Sequence, residues 1–72
     1  MKSYKPVTIE THATRITILF DDVARGAMIA AELDDEFIEY TRDKRRNAFV
    51  VDRVDAYDAI HKLSFTFDIE VV

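Results

Sequence analysis

The sequence predicts an α+β fold of ferredoxin-like order, β-α-β-β-α-β, with two helices on one face of an antiparallel sheet. Three observations carry that expectation. Apolar residues alternate with polar ones near both ends of the chain, two segments with helical spacing each follow an aspartate, and a charged run separates two short apolar stretches.

Residues 14–20 place Ile16, Ile18 and Phe20 on one side, the period-two pattern of a strand with one buried face. Residues 4–10 repeat that rhythm through Val7 and Ile9. They either pair with 14–20 through a turn near Thr11-His12-Ala13 or form an extra N-terminal edge strand. Pro6 donates no ladder hydrogen bond and suits such an edge. Asp21 or Asp22 then caps a helix over 23–33. Its spacing puts Val23, Ala24, Ala27, Met28, Ala30 and Ala31 on a broad face of small side chains, expected to lie against the sheet. Arg25 and Glu32 fall opposite, and Ile29 falls between charges, so it is expected to be exposed.

Asp34-Asp35 ends that helix, and residues 36–41 and 47–51 read as strands. The run between them, Arg42-Asp43-Lys44-Arg45-Arg46, becomes the connection of a hairpin. Residues 52–63 read as a second helix, with Ala56, Ala59, Ile60 and Leu63 on one face and Asp55, Asp58 and Lys62 on the other. Asp58 and Lys62 form an i,i+4 pair. Residues 64–72 alternate again, with Phe65, Phe67, Ile69 and Val71 on one side. The sheet face away from the helices is expected to stay open. Leu19 points there beside Thr17, Thr66, Asp68 and Glu70, joined by Phe37 and Phe49 if the register allows.

Residues 1–72 make a single domain, near the lower size limit for a core that holds without staples. With 49% apolar and 33% charged residues, one glycine and one proline, little of the chain can be linker. The lack of cysteine excludes disulfides, thiolate nucleophiles and thiolate metal sites, and it suits a cytoplasmic setting. No apolar run is long enough to span a membrane, and no signal peptide is expected.

Chemistry finds few footholds. Gly26 is the only glycine, so no phosphate-cradling loop can form, and the glycine-containing loop of small ferredoxin-like acylphosphatases is missing. Ser3 and Ser64 stand apart from His12 and His61 at any readable spacing. The carboxylates at 21–22, 34–36, 52, 55 and 58 sit at helix ends and wet faces, where capping accounts for them. An acidic surface that imitates nucleic-acid phosphates is the alternative for that group. No enzyme activity, cofactor or metal is expected.

Charge is segregated. The run 42–46 has a net of +3 in a chain whose total is −4, which leaves −7 for the rest. Arg42, Lys44, Arg45 and Arg46 therefore read either as a contact for an anionic surface or as a solvated turn. Arg25 and Ile29, on the outer side of the first helix, are the second expected contact.

The reading is of a small non-enzymatic protein-binding module, an inhibitor or regulator of a larger complex of the phage accessory type. Nucleic-acid binding through the basic hairpin and the open sheet face is the alternative. Residues Arg45-Arg46-Asn47-Ala48-Phe49-Val50 match the third-strand signature of RNA-recognition motifs in its basic position, Ala, one aromatic and the aliphatic residue. They lack its glycine and first aromatic, and Thr17 stands where the first strand would carry a ring, so that family is not assigned. A homodimer through the open sheet face is a further expectation.

Overall fold

The computed structural model describes residues 6–72. Tyr4 and Lys5, in the expected first strand, lie outside the described residues. The chain runs β1 (Val7–Thr11), β2 (Arg15–Leu19), α1 (Val23–Asp35), β3 (Thr41–Asp43) and β4 (Ala48–Asp52). A single 3-10 turn (Arg53–Asp55) leads into α2 (Ala56–Ser64), and β5 (Ile69–Val71) closes the sheet.

The α+β class holds, but the sheet has five strands in the order β3-β4-β2-β1-β5. In a ferredoxin-like sheet β5 would pair with β2. Here β1 stands between them, antiparallel to β2 and parallel to β5, so the sheet is mixed. The N-terminal strand is thus not an edge strand. Pro6 precedes it, and the backbone N–H of Val7 donates to the carbonyl of Asp68 at 2.8 Å. The tight connection at residues 12–14 is closed by the His12 N–H on the Arg15 carbonyl at 2.9 Å.

Register assigns the two faces. Ile9, Ile18 and Phe49 stand in one row across β1, β2 and β4, and Ile16 and Val51 stand in another. These residues join Val7, Ile29, Leu33, Ile38, Ala56, Ala59 and Leu63 in one core. Both helices therefore cover the same sheet face. Phe49, which the sequence left free to line the open face, lies in this core instead. The opposite face carries Thr8, Glu10, Thr17, Leu19 and Val50.

The first helix is turned about its axis from the expected orientation. Asp22 caps it as expected, with Oδ1 accepting from the Arg25 N–H at 2.9 Å. However, its buried residues are Gly26, Ile29 and Leu33, while Val23, Ala24, Ala27, Met28 and Ala31 are exposed. Ile29 is 0% exposed, which overturns its assignment to the outer face. The cause is area: an isoleucine and a leucine at i and i+4 remove more apolar surface from water than the alanines could. Gly26 completes that face because the Phe20 ring packs onto it. A Cβ there would stand 2.6 Å from Cε2 of Phe20.

Two other boundaries differ. Residues 36–40 are not a strand, because α1 ends in a Schellman motif. The Ile38 N–H donates to the Leu33 carbonyl at 3.0 Å and the Phe37 N–H to the Asp34 carbonyl at 3.0 Å. Residues 65–67 are not a strand either, because α2 runs to Ser64 and a turn follows. In α2, Ala56, Ala59 and Leu63 are buried as expected. Lys62 reaches not Asp58 but α1, with Nζ at 2.9 Å from Asp35, 3.5 Å from Glu32 and 3.9 Å from Glu36.

Candidate functional site

The basic turn comes first, since the sequence singled it out. Arg42 is a strand residue, paired with Phe49 and so on the helix-covered face. Its Nη1 donates to the carbonyls of Asp43 and Arg46 at 3.0 Å and of Ala48 at 3.3 Å. Its guanidinium lies 5.0 Å from the Phe20 ring centroid and 5.8 Å from that of Phe49. Arg46 goes to the other face, where it grips Glu10 with both nitrogens, at 3.1 and 2.7 Å. His12 stands 3.5 Å from the same carboxylate. The fork from Arg46, with a smaller contribution from His12, holds the Glu10 carboxyl below its ordinary range.

Arg42 and Arg46 therefore fasten the hairpin, one to each side of the sheet. At the tip, Asp43 Oδ1 accepts the Arg45 N–H at 3.1 Å and tightens the turn. The side chains of Lys44 and Arg45 form no ion pair among the described residues. All four cations of the turn are exposed, and two of them, Arg42 and Arg46, also hold partners within the chain. Arg25 is half-buried, 3.6 Å from Asp21 and 5.4 Å from the Phe67 ring.

A different surface stands out on α2. Val54, Tyr57, His61 and Phe65 follow one another at helical spacing on the side opposite Ala56, Ala59 and Leu63. Val54 is 82% exposed, Tyr57 77% and Phe65 75%. The Tyr57 and His61 rings stack with planes 6° apart and centroids at 5.9 Å, and the Phe65 ring meets His61 edge-on at 5.0 Å. The Ser64 hydroxyl donates to the His61 carbonyl at 2.7 Å, tightening the end of the helix. The rings form an ordered ladder in solvent.

No protein-family model matches the chain, and neither curated proteins nor solved structures give a match. The surfaces themselves must carry the functional reading.

A shallow groove of about 970 Å³ lies at the other end of the β3–β4 hairpin from the basic turn. Arg15, Asp34, Phe37, Glu39, Tyr40 and Asp52 are prominent in its lining. Tyr40 meets Phe49 edge-on at 5.0 Å, and burial, with the neighbouring Asp34 charge, pushes its phenol above the ordinary value. Phe37 is 94% exposed and has φ 57°, in the left-handed region. Among the described residues, no group of three or more His, Asp or Glu is placed to hold a metal ion, and no helix is long and apolar enough to cross a membrane.

Sequence reasoning missed the ladder because it gave Phe65 to a strand, whereas that residue caps α2 with a helical backbone, one turn past His61. The signal was present as Tyr57, His61 and Phe65 at i, i+4 and i+8. Phe37 was missed for a parallel reason, since a strand reading hides a helix stop.

Proposed function

We propose that the chain is a small non-enzymatic protein-binding module that contacts its partner through the outer face of α2. One observation carries the reading: His61 stacks on Tyr57 and meets Phe65 edge-on, all three exposed, while the core is closed beneath them by Ala56, Ala59 and Leu63. Aromatic residues dominate the centres of protein interfaces. Rings already ordered against one another lose less side-chain freedom on docking. The fitting partner offers an apolar groove that accepts one helix face. By occupying such a groove, so small a chain would inhibit or regulate a larger complex.

The nucleic-acid alternative draws less support. Phe49 is in the core, and the strand residues of the open face include no ring. Two of the four cations in the turn are engaged by the chain's own carbonyls and by Glu10.

The test begins with a photo-crosslinking residue in place of Tyr57, and in place of Glu70 on the opposite face as a control. A partner captured only from position 57 is then purified. The double variant Tyr57→Ser, Phe65→Ser should bind it about tenfold or more weakly, as hot-spot aromatics require. Equal capture from both positions, or undiminished binding by the double variant, overturns the proposal. Salt-sensitive binding of single-stranded RNA in place of any protein would favour the alternative.

A further inference from the structure

The register of the sheet lines up one row of residues on the helix-covered face: Arg42 of β3, Phe49 of β4, Ile18 of β2, Ile9 of β1 and Val71 of β5. The two ends of that row are finished differently. At the β3 margin it ends in a charged side chain, and the Arg42 guanidinium lies over the Phe20 and Phe49 rings. At the β5 margin it ends in a valine that is 54% exposed, although Ile9 beside it is fully buried. Val71 stands on the core side of the sheet with no strand beyond it to complete the row.

The backbone of β5 is open along the same margin. The Asp68 carbonyl accepts the Val7 N–H at 2.8 Å, and the Val72 N–H donates to the Ile9 carbonyl at 2.9 Å. Both of these groups face β1. Backbone groups alternate in direction along a strand, so those of Ile69 and Val71 point away from β1. Among the described residues, no strand and no loop bonds to them there.

Charge decides what can pair. Glu70 shares a row with Thr8 on the open face, and Asp68, two residues earlier, is exposed as well. If two copies paired antiparallel with Ile69 opposite Val71, Glu70 would meet Glu70. With Ile69 opposite Ile69, Glu70 would meet Asp68. Like charges directly opposite are destabilising, so this margin opposes a second copy and favours a cationic strand.

We propose that the free margin of β5 receives an extended segment of a partner protein as an added strand, with an apolar residue beside Val71 and lysine or arginine beside Glu70. Strand addition draws affinity from main-chain hydrogen bonds and specificity from alternate side chains. A strand as short as β5 offers few such bonds, so the side-chain match decides whether a segment stays. The proposal goes beyond the α2 ladder and does not depend on it.

The probe is a short capped peptide of alternating valine and lysine, titrated into the isotope-labelled full chain. Amide hydrogen exchange at Ile69 and Val71 should slow as it binds, and shifts should concentrate at residues 68–72. The same peptide with glutamate in place of lysine should bind about threefold or more weakly, as cross-strand charge pairs imply. Glu70→Lys should reverse that preference. Val71→Pro removes an N–H that the sheet does not use, at an edge where proline is tolerated. It should weaken binding about two- to tenfold, the range of one hydrogen bond. Any of four results would overturn the proposal: unslowed exchange at Ile69 and Val71, equal affinity for the two peptides, a preference that Glu70→Lys leaves unchanged, or full binding by Val71→Pro. Slowed exchange that follows the concentration of the chain alone would mean self-pairing and overturn it too.

Discussion

The basic turn at 42–46 and the aromatic ladder on α2 are both runs of conspicuous side chains, yet the fold treats them in opposite ways. In the turn, Arg42 is tied back to nearby carbonyls and to the Phe20 and Phe49 rings, and Arg46 is tied to Glu10 across the open face, although both remain exposed. On α2, Tyr57, His61 and Phe65 touch one another and solvent. The difference has a physical cause. A tight turn crowds carbonyls and strand ends within reach of long cationic side chains, so local acceptors capture them. A helix has one buried stripe, and a ring on the opposite side cannot reach the core whatever its hydrophobicity. Both runs are thus exposed, but two of the turn's cations are held by partners within the chain, whereas the rings on α2 are held only by one another.

Substitutions can break this contrast. Arg42→Ala should have the largest effect, a loss of about 2 kcal/mol, because it removes three charge-assisted hydrogen bonds and the packing on two rings. Urea unfolding measures it, and a change near zero would return Arg42 to the solvated turn. Phe37→Gly should move the other way, a gain of about 1 kcal/mol, as relief of a left-handed residue predicts. Tyr57→Ser with Phe65→Ser should shift stability within about 0.5 kcal/mol, as surface changes do. A larger loss would mean that the ladder supports the fold.

The smallest effect concerns pH. Glu10 is held below the ordinary carboxylate range chiefly by Arg46, so its folded value is depressed. Its contribution to stability is therefore present above the unfolded carboxylate value and is lost as pH falls through the folded one. Both partners are exposed, so the effect is modest. Carboxyl carbon titration by NMR should show Glu10 ionising below the ordinary glutamate range, and Arg46→Gln should raise it toward that range.

Much of the architecture was legible in the sequence, for reasons that differ by element. β2 was readable because Ile16 and Ile18 alternate with polar residues in the sequence, although Thr17 between them is buried too, and the inward face of α2 was readable because Ala56, Ala59 and Leu63 repeat at its pitch. α1 misled because six small apolar residues outnumber Ile29 and Leu33, while burial favours area over count. Residues 36–40 misled because Phe37 holds a position where glycine would have announced the helix stop. The place of β1 in the sheet was hidden in a different sense. Pairing of Val7 with Ile69 joins distant parts of the chain, and no local pattern encodes it. For the candidate surfaces, the charge of the turn was visible but its internal partners were not.

The insertion of β1 also decides which strands are left unpaired along one side. The three five-residue strands, β1, β2 and β4, are all interior, and the exposed margins fall to β3 and β5, of three residues each. Had Val7–Thr11 lain at the margin, a longer row of free amides and carbonyls beside two buried aliphatic side chains would have faced other chains. With β1 enclosed, the sheet offers intermolecular pairing only short templates, a defence against aggregation written into strand order and not into surface charge.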